Sequence, residues 1–201
     1  MRSPKKIGDK RFLKPPRRWR KEIDFVLISE RQLSTRIKQI AAVLESDYKG
    51  RELTIIALLS GTVVFLADLV RRLNLPLQID FFGISSYGDG TVSKEPTITK
   101  DLSLEVRGRD VLILDDILDT GKTLNLTLKK IASLEPNSVK TCVLLDKPAR
   151  RLISINADYT GFVIPNYFVV GYGLDFAERY RNLPFIGVLK KELYQTAGCC
   201  L

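Results

Sequence analysis

Residues 53–59, 111–114 and 139–145 are short, almost continuously apolar runs rich in Ile, Val and Leu. Each is too short for a helix core and too continuous for a half-exposed strand, so each fits a parallel strand buried on both faces. Residues 78–84 are a further strand candidate, and 184–189 read as a final strand. Between these runs the period lengthens. Leu33, Ile37, Ile40, Ala41 and Leu44 form one helical stripe behind Ser29 and Gln32, a capping-box pair. Val63, Leu66, Ala67, Val70 and Leu73 form a second stripe, and Leu124, Leu128 and Ile131 a third. Strands alternating with helices predict an α/β fold around a parallel central sheet.

In such sheets ligands bind outside the carboxyl ends of strands, and the amides opening the next helix attract anions. The strand over 111–114 runs into Asp115, Asp116 and Asp119, then into Thr120, Gly121, Lys122 and Thr123. The last four offer backbone N–H groups, two hydroxyls and an ammonium, a set suited to phosphate. The three carboxylates would repel that phosphate and must address something else. Carboxylates accept bonds from sugar hydroxyls, coordinate hydrated Mg²⁺ and take protons, so a phosphorylated, polyhydroxylated, metal-bound substrate would use them all. A nucleotide-triphosphate loop would need a glycine five residues before Gly121, where Asp116 stands, so that reading fails.

The 201 residues suffice for one domain with a sizeable core. The chain contains no histidine, which excludes Ser-His-Asp and Cys-His catalysis and leaves proton transfer to a carboxylate, Lys, Tyr or Cys. The net charge of +9 would suggest nucleic acid, but ten basic residues and a single acid fall within residues 1–21. The remainder holds 22 of each sign and is neutral. Residues 1–21, with Pro4, Pro15 and Pro16, are therefore expected to be a basic, flexible arm, and 22–201 a single domain. Cys142, Cys199 and Cys200 are spaced for neither a disulfide framework nor a zinc site, which points to a reducing cytoplasm. No membrane span is expected, because the longest apolar stretch is interrupted by Ser60, Gly61 and Asp68.

The stretch from Val111 to Leu124 resembles the phosphoribosyl-diphosphate (PRPP) motif of type I phosphoribosyltransferases, specifically the hypoxanthine-guanine phosphoribosyltransferases. The similarity runs from about Ile23 to Leu189. It implies the type I fold, a parallel sheet flanked by helices with a small hood built from the chain's two ends. It also implies a Mg²⁺-dependent purine-salvage enzyme joining PRPP to hypoxanthine or guanine, commonly as a homodimer or homotetramer. Asp115 and Asp116 would hold the ribose hydroxyls and, through them or water, Mg²⁺; residues 120–123 would clamp the 5-phosphate; Asp119 would take the proton on purine N7.

Other segments extend the resemblance. Leu59, Ser60 and Gly61 stand where the family has a pyrophosphate-binding turn that often contains a non-proline cis peptide, with Ser60 replacing the usual lysine. Ser86 and Tyr87 match the Ser-Tyr pair of a mobile catalytic loop, in a polar stretch reaching about Lys100. Lys147, by position alone a surface lysine, matches the residue that bonds the exocyclic oxygen of a 6-oxopurine. Phe168 matches the aromatic that stacks on the purine, and Val169 the residue whose backbone reads its edge. Asp175 matches a second Mg²⁺ ligand, and Arg181, read here as helical, a pyrophosphate contact. Adenine enzymes and pyrimidine regulators share the motif but usually lack an acid at position 119. A PRPP-sensing regulator whose arm contacts nucleic acid is the alternative from another class, though no specific nucleic acid is expected.

Overall fold

A computed structural model describes residues 5–6, 12–85 and 97–195. Its strands are β1 (Lys5–Lys6), β2 (Ile23–Ile28), β3 (Leu53–Leu59), β4 (Leu77–Ser85), β5 (Thr97–Lys100), β6 (Asp110–Leu118), β7 (Ser138–Asp146), β8 (Tyr159–Val163), β9 (Val169–Val170) and β10 (Ile186–Leu189). Its helices are α1 (Glu30–Asp47), α2 (Val63–Val70), α3 (Lys122–Ala132) and α4 (Lys191–Gln195). The main sheet has the order β1-β8-β7-β6-β3-β4-β5, in which only β5 runs antiparallel to its neighbour.

Alternate residues of the central strands feed two cores, which is why these strands read as continuously apolar. Ile55, Ala57, Leu112 and Leu114 pack beneath α1 and α2. Ile56, Leu58, Val111 and Ile113 pack beneath Leu124 and Ile131 of α3. Chain direction reverses between β3 and β6: β3 continues through α2 to β4 on one side, and β6 through α3 to β7 on the other. A crevice at the carboxyl ends of these two strands follows from that switch of direction.

Helix α1 starts at the expected box. The Gln32 N–H donates to Ser29 Oγ and the Ser29 N–H donates back to Gln32 Oε1. The stripe over Leu33, Ile37, Ile40, Ala41 and Leu44 is buried, and Arg36 is buried beside it. Arg36 donates to the Thr160 and Gly161 carbonyls of β8 at 2.7 and 2.8 Å, which satisfies a guanidinium that the apolar pattern alone would expose.

The hood is a second sheet, β2-β10-β9, from segments far apart in sequence, as the resemblance implies. Three expectations change. Residues 12–21 lie against the hood rather than forming a flexible arm. Phe12 stacks on Phe25 at 4.0 Å, the Val26 N–H donates to the Leu13 carbonyl, Pro15 is buried, and Trp19 meets Tyr180 edge-on. Apolar side chains among the basic ones supply the contact that charge counting overlooks. Residues 97–100, read as loop, form edge strand β5, whose exposed pattern carries no burial signal. Arg181 is not helical; it follows a turn in which Ala177, Glu178 and Tyr180 have positive φ.

Candidate active site

Strand β6 delivers the carboxylates to the crevice. Asp115 is 7% exposed. Its Oδ1 accepts the Asp116 N–H, and Asp116 Oδ1 accepts the Ile117 N–H. Burial pushes the Asp115 carboxyl well above the usual carboxylate range, and the neighbouring Asp116 charge adds to it; burial raises Asp116 too. Asp116 abuts the turn after β3. A Cβ on Gly61 would lie 1.7 Å from Asp116 Oδ2, and one on Gly173 would lie 1.9 Å from the Gly61 carbonyl. Gly173 has φ +99, so two glycines let the hood, the turn and β6 meet.

That turn holds a cis peptide between Leu59 and Ser60, as the resemblance suggests. Leu59 and Ser60 are exposed, Gly61 is buried, and the buried Thr62 Oγ1 has no hydrogen-bond partner. Across the corner, Arg181 donates to the Gly173 carbonyl at 2.9 Å and pairs with Asp175 at 3.0 Å and Glu178 at 2.9 Å. Asp175 also accepts the Glu178 N–H through Oδ2. Asp175 and Arg181 therefore share the corner but engage each other.

The loop over 119–123 is braced from residues 151–153. Its carbonyls are tied behind it: Leu152 and Ile153 N–H groups donate to Thr120, and Arg151 Nε donates to the Asp119 carbonyl. Gly121, at φ +87, caps α3 with no side-chain cap bond, and the Lys122 N–H reaches Thr120 Oγ1 only at 3.4 Å. The helix thus opens with amides available to an anion. They face a cavity of about 420 Å³ lined by Gly61, Asp115, Asp116, Asp119, Thr120, Gly121 and Thr123 among others.

Asp119 pairs through Oδ2 with Arg150 at 3.2 Å, and its buried Oδ1 has no partner. Lys147, 3% exposed, lies within the influence of the Asp119 charge. Burial lowers its ammonium pKa, and the ammonium makes no hydrogen bond among the described residues. One face of Phe168 stacks on Tyr194 at 4.8 Å while Phe176 meets it edge-on. The Leu189 N–H donates to the Phe168 carbonyl, so by antiparallel alternation the next pair, Val169 and Val188, is not hydrogen-bonded. Val169 therefore presents its N–H and C=O to the open edge of the hood sheet.

Ser86 and Tyr87 lie outside the described residues. Arg150 and Arg151 went unnoticed in the sequence, because charged residues after a strand look like surface. Among the described residues no group of three or more His, Cys, Asp or Glu could hold a metal, and no helix is long and apolar enough to cross a membrane.

A phosphoribosyl transferase domain family matches residues 29–177. Hypoxanthine-guanine phosphoribosyltransferase of Bacillus subtilis is 46% identical over 176 residues, covering 87% of this chain and 98% of the relative. A crystal structure of a hypoxanthine phosphoribosyltransferase from Staphylococcus aureus is similar with TM-score 0.84 and 43% identity, covering 90% and 99% of the two chains. The chain belongs to the hypoxanthine-guanine phosphoribosyltransferase family. It also matches the bifunctional protein TilS/HprT of Listeria innocua at 51% identity over 174 residues, and there spans only 27% of the relative.

Proposed function

We propose that the chain transfers the phosphoribosyl group of PRPP to N9 of hypoxanthine or guanine, releasing pyrophosphate, in purine salvage. One observation supports this most: a single cavity joins an uncapped helix amino terminus to paired buried carboxylates and to Asp119, whose inner oxygen is unpaired. Residues 120–123 would hold the 5-phosphate and fix C1′ against the attacking nitrogen. Asp115 and Asp116 would take the ribose hydroxyls. The buried Lys147 ammonium would donate to O6 of the base, Phe168 would offer its free face to the ring, and the Val169 backbone would read its edge. Asp119 would accept the N7 proton. Leu59, Ser60, Gly61, Ser86, Tyr87 and Arg181 would address pyrophosphate.

The donor set fits Mg²⁺. Two carboxylates that burial drives toward protonation, Asp115 further by the Asp116 charge, would be relieved by a cation, and hard oxygen ligands suit it. With no three-ligand group among the described residues, substrate oxygens and water must complete the shell. When bound, Mg²⁺ supplies charge neutralisation at the departing pyrophosphate. Asp175 could hold a second ion only by loosening its pair with Arg181. Cytoplasmic location, a homodimer or homotetramer, and a single domain over 22–201 with residues 12–21 packed on its hood belong to the same reading.

The test is pyrophosphate release with PRPP and Mg²⁺, using hypoxanthine, guanine, xanthine, adenine and uracil separately against a no-base control. Release with 6-oxopurines alone is the expected result. Failure with all five while PRPP still binds would leave a PRPP sensor.

A further inference from the structure

We infer that residues 12–21 form a fixed basic face on the hood that binds single-stranded RNA through its phosphodiester backbone, a capacity separate from phosphoribosyl transfer. Lys14, Arg17, Arg18, Arg20 and Lys21 are all exposed, and none of them meets a carboxylate at salt-bridge distance among the described residues. Elsewhere surface arginines are answered: Arg71 and Arg72 share Asp68, Arg107 meets Glu135, and Arg179 meets Glu22. The last pair occupies the acid that follows the basic row, leaving Asp24 as the next carboxylate along the chain. None of the five cations lines the cavity at the carboxyl ends of β3 and β6. Five like charges within ten residues repel one another, and a polyanion laid across them relieves that repulsion.

The segment is held in place before any partner arrives. The Val26 N–H donates to the Leu13 carbonyl, the Trp19 N–H to the Pro16 carbonyl, and the Glu22 N–H to the Trp19 carbonyl, at 2.9, 2.9 and 3.0 Å. Arg20 Nε donates to the Pro15 carbonyl at 3.0 Å, and Arg18 lies over the Trp19 ring at 5.4 Å. A row of cations ordered in this way gives up less chain entropy on binding than a loose tail would. The apolar side chains of the segment turn mostly to the hood, with Pro15 buried and Trp19 against Tyr180. Leu13, 58% exposed, is a single aliphatic side chain and too little to anchor the segment in a bilayer. Phe12 lies on Phe25 and keeps 37% of its surface open, two residues from Lys14. Cations along a backbone track beside an open aromatic ring are the means by which single strands are held, the ring stacking on a base. RNA is the polynucleotide that offers unstacked bases in loops, bulges and ends.

The test is fluorescence anisotropy of a labelled oligouridylate of about 16 nucleotides, titrated with the full chain between about 50 and 200 mM KCl. Wild type is compared with Lys14→Gln, Arg17→Gln and Lys21→Gln combined, which leaves Arg18 on Trp19 and Arg20 on Pro15. A second variant, Lys14→Arg, Arg17→Lys and Lys21→Arg combined, keeps the charge. Each phosphate contact on a single strand adds about 0.7 to the slope of log K against log salt, so the neutral variant should bind about 100-fold more weakly at about 100 mM, with a slope shallower by about 2. The charge-keeping variant should match wild type, and all three chains should share one Tm. Wild-type binding absent up to about 100 μM, the weak end of nonspecific polynucleotide affinity, would overturn the inference. Equal binding by the neutral variant would overturn it as well, as would tighter binding to a duplex or to single-stranded DNA of the same length. Tighter binding to phosphatidylserine–phosphatidylcholine vesicles would make the partner a membrane and refute the RNA assignment. Binding is read on RNA alone, so a chain inactive on every 6-oxopurine would refute the proposed function without touching this inference.

Discussion

Asp115→Asn should stabilise the chain in the absence of substrate and metal while weakening PRPP binding. Asp115 is almost wholly buried beside a second carboxylate, so in the ionised state it carries both a desolvation cost and like-charge repulsion. Asparagine keeps an oxygen to accept the Asp116 N–H, and its amide can donate to the Asp116 carboxylate. The substitution therefore removes charge rather than contact. Relieving a strained functional site of this kind typically gains about 0.5–2 kcal/mol. For a domain of this length each kcal/mol moves Tm by about 2–4 °C, so a rise of about 1–8 °C is expected.

Thermal unfolding in EDTA without PRPP, from pH 4 to pH 8, measures it. The folded carboxyl lies above its unfolded value, so over the interval between the two the folded chain binds more protons. Its contribution to stability is greatest below the unfolded pKa, falls as pH rises toward the folded one, and then levels off. Asp68, Asp80 and Asp110, held below the usual range, act in the opposite sense, so the observable is the difference between variant and wild type. That difference should widen in favour of Asp115→Asn as pH rises. An equal or lower Tm at pH 7.5, or a difference independent of pH, would refute the strain argument. KM for PRPP should rise in the same variant.

Asp119→Asn should lower turnover by about 10² to 10⁴-fold with PRPP binding retained, and an unchanged single-turnover rate would remove Asp119 from proton transfer. Gly173→Ala would place a Cβ 1.9 Å from the Gly61 carbonyl at a φ of +99; a loss of about 2–4 kcal/mol in urea unfolding and a higher KM for PRPP are expected, and near-wild-type behaviour would contradict the close approach. Arg36→Met keeps the aliphatic stem but strips two donors from the β8 carbonyls, and should cost about 2–4 kcal/mol in the same assay. Lys147→Met should leave Tm equal or higher, since burial disfavours the ammonium, while KM for hypoxanthine rises at least about 10-fold; an unchanged KM would detach Lys147 from base recognition.

What could be read from the chain, and what could not, divides along physical lines. Strands β3, β6 and β7 are covered on both faces, so burial wrote itself into their composition. The capping pair at Ser29 and Gln32 and the loop over 115–123 are local chemistry, complete within a few consecutive residues. Short strands such as β5 and β9 have no such signature, because a two- to four-residue edge strand is defined by its partner's register rather than by its own pattern. The same limit hid Arg36, Arg150 and the Gly61–Gly173 contact. A buried arginine reads as surface until the carbonyls it serves are in place, and a turn glycine reads as flexibility until the opposing backbone arrives. The residue types lining the crevice were therefore legible, since a run of carboxylates and a glycine-containing turn before a helix are written in consecutive residues. The working geometry was not, because it is set where β6, the turn after β3 and the hood converge from distant parts of the chain: Asp116 lies close against Gly61, Gly61 close against Gly173, and Arg181 donates to the Gly173 carbonyl. Substitutions along that relay should accordingly alter PRPP binding even at positions that touch no substrate atom.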